Sequence, residues 1–195
     1  MGKRKHYPVR IPRYAAGIRA QESRSGSGRA WWARRWTDVV ERMGLGARLG
    51  RGKSYAVSGQ VASMRLEGPH VEASVVGARE APYRVTLDFR VPEGAVREAI
   101  VARIREEPML AARLLADDLP MEVEQAFRDA GMDLFPGGKL GPGVYDTTTA
   151  CTCPDYANPC KHVAAVLLIL GEEIARRPMT LLELRGISGE ELYEE

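Results

Sequence analysis

The sequence predicts an α+β protein: a small antiparallel sheet covered by helices, with a C-terminal helical module built round a Cys3His cluster. Three observations carry this reading. Tyr83, Val85, Leu87, Phe89 and Val91 alternate with Arg84, Thr86, Asp88 and Arg90, the period of a strand with one buried face. Val96, Ile100 and Ile104 recur every four residues, as they would along one side of a helix. Cys151, Cys153, Cys160 and His162 all fall in one short stretch, CTCPDYANPCKH.

Size and composition set the frame. The 195 residues are 45% hydrophobic and 28% charged, enough for one compact unit or two small ones. No apolar run approaches the roughly 20 residues of a membrane span, and the longest, Val163 to Leu170, reads as a buried helix. The basic N-terminus lacks the apolar stretch of a secretory signal, so a cytoplasmic location away from membranes is expected. The net charge of +2 conceals an asymmetry. Residues 1–53 hold 14 Lys or Arg against 3 Asp or Glu, a net of +11, whereas residues 54–195 hold 14 against 23, a net of −9. A nucleic acid or an acidic partner would be drawn to the basic end.

Three regions follow. Residues 1–28 form a basic flexible arm, interrupted by Pro8, Pro12 and the Ser23–Gly28 stretch. Residues 29–130 form the α+β scaffold, and residues 131–195 hold the metal-binding module and the C-terminal helices. The scaffold opens with a helix over Arg29 to Met43, whose stripe of Trp32, Trp36, Val39 or Val40, and Met43 would anchor it on the sheet. Trp31 lies about 100° round that helix and is expected to be exposed. With Arg34 and Arg35 it makes a candidate contact for nucleic acid or another partner, base stacking beside phosphate-binding arginines being the chemistry.

Residues 54–91 carry the strands. Tyr55, Val57 and Val61 share one parity and Met64 and Leu66 the other, so a bulge or turn is expected near Ala62. Val71, Ala73 and Val75 form a shorter strand, bringing the sheet to three or four. Short helices follow round Val96–Ile104, Leu110–Leu115 and Met121–Phe127, divided by Pro108 and Pro120. The glycine- and proline-rich connection from Gly131 to Gly143 resembles a phosphate loop only superficially, because Leu140 follows Lys139 where a hydroxyl residue is needed.

The chemistry concentrates in the next segment. Three cysteines within ten residues, two of them one residue apart, make a poor disulfide framework and a good set of metal ligands. Cys-x-Cys, six residues and Cys-x-His supply three thiolates and an imidazole, the four ligands of a closed structural zinc site. Asn158 is a suitable N-cap and Pro159 a suitable first residue for the helix that follows. Cys160 and His162 stand about 200° apart on an ideal helix, so they meet one ion only at the helix entrance or in a distorted first turn. A Cys3His iron–sulfur cluster and a redox Cys-x-Cys pair remain as other uses of these residues, as does catalytic zinc. The last would need an open position that four ligands fill. No Ser/His/Asp or Cys/His catalytic set stands out, and the chain is not expected to be an enzyme.

Cys151-Thr152-Cys153, Cys160-Lys161-His162 and the apolar helix behind them resemble a SWIM-type zinc finger over about residues 145–175. A looser similarity, through the Trp31-Trp32 and Trp36 cluster, the sheet and the acidic helical middle, extends to small bacterial SWIM zinc-finger proteins. The resemblance implies that Cys151, Cys153, Cys160 and His162 hold one structural Zn²⁺. It also implies association with DNA-handling machinery, including SNF2-type helicases. The expected function is a zinc-binding adaptor for protein interactions in nucleic-acid machinery. The alternative is direct DNA or RNA binding through the basic aromatic N-terminal region.

Overall fold

The computed structural model describes residues 12–21, 30–137, 139–141 and 144–193. In chain order the elements are α1 (Trp31–Arg42), α2 (Ala47–Val57), β1 (Val61–Glu67), β2 (His70–Val75), β3 (Tyr83–Phe89), α3 (Gly94–Arg105), α4 (Pro108–Leu115) and α5 (Met121–Asp129). They continue with β4 (Lys139–Gly141), β5 (Val144–Tyr145), β6 (Thr147–Cys151), α6 (Lys161–Arg176), α7 (Met179–Leu184) and α8 (Gly189–Tyr193).

The main sheet is antiparallel throughout, in the order β1-β2-β3-β6, with β4 and β5 forming a separate small ladder. Alternation places Val71, Ala73, Val75, Tyr83, Val85, Leu87 and Phe89 on its buried face. The other face carries exposed Glu72, Arg84 and Asp88. The register slips between Val61 and Ser63, the bulge expected near Ala62. The fourth strand comes from the C-terminal third: Thr147 lies opposite Phe89 and Cys151 opposite Val85. Its Thr-Thr-Thr-Ala-Cys sequence is β-branched but lacks large apolar residues at alternate positions, so periodicity alone does not single it out.

Helix α6 covers the sheet, touching β1, β3 and β6, while α1 and α2 pack against α6. The sequence reading expected the tryptophan helix in that covering position. Instead α1 reaches the sheet through Trp36, whose ring lies 6.4 Å from Phe89, and whose indole N–H donates to the Leu167 carbonyl of α6 (3.0 Å). The apolar surface of α6 explains the order of layers. His162 to Leu167, together with Ile169, Leu170 and Ile174, is buried, and only a helix with neighbours on several sides can bury so much. Its neighbours approach closely. A Cβ on Gly171 would lie 2.6 Å from Trp36 Cδ1, and one on Gly52 would lie 2.5 Å from Ala164 Cβ.

Gly52 belongs to α2, the second departure from expectation. Tyr55 and Val57 have strand parity but sit on a helix, because their partner is α6 rather than a neighbouring strand. Residues 12–21, read from sequence as part of the basic arm, are extended along the sheet. Ile18 bridges to Val61, and Ala20 N–H donates to Ala56 O (3.0 Å). Residues 1–11 and 22–28 of that arm lie outside the described residues, as does the Lys139 side chain.

One polar group lies deep in this apolar structure. The Arg185 guanidinium, 1% exposed, spends its five N–H donors on Asp146 Oδ1 and Oδ2 and on the carbonyls of Arg90, Asp133 and Leu134, at 2.7–3.0 Å. Asp146 also accepts from Gly137 N–H. The pair joins the end of α7, the turn into β6, the chain beyond β3 and the glycine-rich connection. Every donor is matched, so the desolvation of the charge is offset as fully as geometry allows.

Candidate metal centre

The metal-ligand candidates sit where β6 ends and α6 begins. Cys151 is the last residue of β6, and Cys153 follows in the turn beyond it. The chain then loops out through Asp155, whose carboxylate accepts from Ala157 N–H (3.2 Å) as in an Asx-turn. Arg48 of α2 holds this loop from the side, 3.6 Å from Asp155 and with its guanidinium over the exposed Tyr156 ring. The loop returns at Cys160.

Helix α6 starts two residues later than the sequence signals suggest. Cys160 is itself the residue before the helix, with extended backbone (φ −92°, ψ 179°), and Lys161 is the first helical residue. Asn158 does not cap the helix. Its side chain pairs with Thr149 of β6, accepting from Oγ1 (2.8 Å) and donating to the carbonyl, and so closes the loop on the strand edge. An extended Cys160 followed by a helical His162 removes the 200° difficulty, because the two side chains meet at the helix entrance.

The four donor atoms lie within 4.8 Å of one another. His162 Nδ1 stands 3.8 Å from both Cys151 Sγ and Cys160 Sγ. Tetrahedral coordination with Zn–S of about 2.3 Å and Zn–N of about 2.1 Å would place sulfur and nitrogen about 3.6 Å apart. The two sulfur–nitrogen distances are close to this value, and the widest donor pair would draw in by about 1 Å round a four-coordinate ion.

Electrostatics favour the anionic form at one of the three sulfurs. The Cys160 thiol is pulled down to about 3, chiefly by the hydrogen bond it accepts from Cys151. Burial opposes that pull, and His162 and the N–H groups of Val163 and His162 at the helix start add to it. Cys151, the donor in that hydrogen bond, is pushed up by it and then by burial, and burial pushes Cys153 up. A metal ion would take the place of the protons that hold these sulfurs together.

His162 is 4% exposed and is enclosed by two tyrosines. Tyr83 of β3 lies 4.6 Å from its ring at 32°, and Tyr55 of α2 lies 5.2 Å away at 67°. Its second nitrogen, Nε2, is buried without a hydrogen-bond partner. Sequence reasoning did not connect either tyrosine to the site, since both lie far away along the chain.

The partner-contact candidates are placed differently. Trp31 is half-buried rather than exposed: it donates to the Leu119 carbonyl (2.9 Å) and packs edge-on against Trp32 and Phe135. A helical offset of 100° takes the ring off the face occupied by Trp32 but not away from the helices that follow. Arg35 lies 3.5 Å from Glu124 of α5, and Arg34 is exposed. No helix among the described residues is long and apolar enough to cross a membrane.

Comparison with known proteins bears on the same segment. Over 185 residues the chain is 38% identical to the uncharacterized protein Rv2102 of Mycobacterium tuberculosis, a likeness covering 95% of this chain and 65% of that protein. The chain thus spans just under two thirds of the length of this curated relative. No solved structure matches significantly. The family model described as SWIM zinc finger matches residues 144–171, from β5 through the four clustered residues and into α6. With the sequence pattern, the converged donors and this match in agreement, the chain carries a SWIM zinc-finger domain.

Proposed function

We propose that Cys151, Cys153, Cys160 and His162 hold one structural Zn²⁺, and that the protein is a zinc-stabilised adaptor within nucleic-acid machinery. The observation that carries this is the convergence of four donors at the entrance of a buried helix. Four protein ligands fill a tetrahedral shell and leave no position for substrate, the arrangement of a structural rather than a catalytic ion. The ion would pin β6 and the loop to the start of α6, leaving recognition to the surface.

The partner in this reading is a protein of the cytoplasm, an SNF2-type helicase being one candidate. Direct DNA or RNA binding is the second reading, favoured by the net +11 of residues 1–53 and the exposed Arg34. Because Trp31 is half-buried against Leu119 and Phe135, that reading rests on phosphate contact more than on base stacking.

Elemental analysis should give about one zinc per chain; iron with visible charge-transfer absorption would overturn the assignment. Affinity purification of the native complex with and without nuclease tests the partner. A defined protein retained after nuclease supports the adaptor. Loss of every partner on digestion, together with salt-sensitive binding of purified protein to nucleic acid, supports the second reading.

A further inference from the structure

A metal-bound histidine normally donates its second ring N–H to a carboxylate, a carbonyl or water, which fixes both tautomer and orientation. At His162 no carboxylate or carbonyl among the described residues takes that place. Nδ1 faces the sulfurs, and Nε2 is buried with no hydrogen-bond partner. The fold offers the ring another hold. The groups in contact with it are the Tyr83 ring at 4.6 Å and the Tyr55 ring at 5.2 Å, presented by a strand and a helix outside the matched segment.

These rings are themselves held in place. Tyr83 lies against the backbone of Gly77, where a Cβ would fall 2.3 Å from its Cε2, and Arg79 lies over its ring with Cζ 5.8 Å from the centroid. Lys161 Nζ stands 5.1 Å from the centre of the Tyr55 ring. The imidazole thus sits between Tyr83, tilted against it at 32°, and Tyr55, set edge-on at 67°, and each tyrosine ring also carries a cation. Cations over aromatic faces strengthen such contacts.

We propose that Tyr55 and Tyr83 are positioning residues of the metal centre, their rings orienting His162 toward the ion in place of a hydrogen-bond acceptor. The proposal rests on the zinc assignment above. Its consequence is that zinc affinity is set partly by residues outside the SWIM segment, on α2 and β3.

The test uses the full chain as wild type, Tyr83→Phe, Tyr83→Leu, Tyr55→Leu and Gly77→Ala. Chelator competition measures zinc affinity, the absorption bands of the Co²⁺-substituted protein report ligand geometry, and thermal unfolding checks the fold. Tyr83→Phe keeps the ring and should stay within about twofold of wild type. Loss of the ring in Tyr83→Leu or Tyr55→Leu should weaken zinc by about 10–100-fold, the usual cost of removing a group that orients a ligand, and should shift the cobalt bands. Gly77→Ala displaces the Tyr83 ring without deleting it and should produce a smaller loss in the same direction.

Folded leucine variants with wild-type affinity and an unchanged cobalt spectrum would overturn the proposal and leave the zinc site standing. Wild-type protein that takes up neither metal would remove the zinc assignment and this inference together. Should the leucine variants not fold, nitrogen NMR of zinc-loaded wild type decides. An Nε2–H proton shifted upfield by the Tyr83 ring current supports the ring contact, and a shift typical of a hydrogen-bonded imidazole rejects it.

Discussion

The two ends of β6 are fixed by opposite means. At one end Cys151 joins a cluster whose donors can take up an ion from outside. At the other, Asp146 just before the strand meets Arg185, and the protein supplies both charges and every hydrogen bond itself. One anchor is conditional and the other unconditional. The contrast teaches that the zinc finger is not a free-standing module here: its strand β6 is an edge of the four-stranded sheet, and the start of that strand is locked by the residue that ends α7.

The comparison can be broken most severely at the conditional end. Cys153→Ala, or chelation of the metal, should abolish stoichiometric zinc and unfold at least the 152–162 loop. A structural site of this kind contributes on the order of 10 kcal/mol of apparent binding energy in zinc-finger peptides. Metal analysis and circular dichroism with and without chelator measure this, and C153A with full zinc and unaltered unfolding would remove Cys153 from the ligand set. Acid should act in the same direction, since protons compete with the ion for thiolate and imidazole.

The unconditional end comes next. Asp146→Ala leaves the buried guanidinium uncompensated and should cost about 3–5 kcal/mol. Denaturant unfolding of zinc-loaded protein measures it, and a loss below 1 kcal/mol would mean that the pair is not the lock inferred here. Zinc should still bind to folded D146A, which separates the two anchors.

A smaller effect tests the helix that both anchors serve. Gly171→Ala forces a methyl group against Trp36 and should cost about 1–3 kcal/mol by overpacking. The thermal midpoint should fall, accompanied by a change in tryptophan fluorescence. The smallest effect is at the loop surface, where Arg48→Ala removes a partly exposed ion pair with Asp155 worth under about 1 kcal/mol. The midpoint should barely move, while proteolysis of the loop should quicken.

What was legible in the sequence follows the same division. The Cys-x-Cys and Cys-x-His groups lie within twelve residues, so their spacing alone announces a shared centre. Alternation in β2 and β3 and the proline-opened helices α4 and α5 were equally readable, because each depends on its neighbours in the chain. Asp146 and Arg185 carry no local pattern, and their cage is finished by carbonyls of residues 90, 133 and 134. Helix α2 was hidden for a related reason: Gly50 and Gly52 lower its intrinsic helix preference, yet Gly52 is what lets α6 come close. Trp31 was misplaced because sequence gives a direction round a helix but not what stands in that direction. Tyr55 and Tyr83 were both visible as apolar residues, but their meeting at His162 required the tertiary fold.

The short span of the four ligands has a thermodynamic consequence. An unfolded chain already offers three sulfurs and an imidazole on one flexible stretch, so it too can capture the ion. Only the difference between native and unfolded affinities counts toward stability. That difference comes from groups contributed by the rest of the fold: the helix start that favours the Cys160 thiolate, the Thr149–Asn158 closure, and the tyrosines on α2 and β3. The ligands therefore decide that an ion is held, and the scaffold decides how far holding it favours the native state.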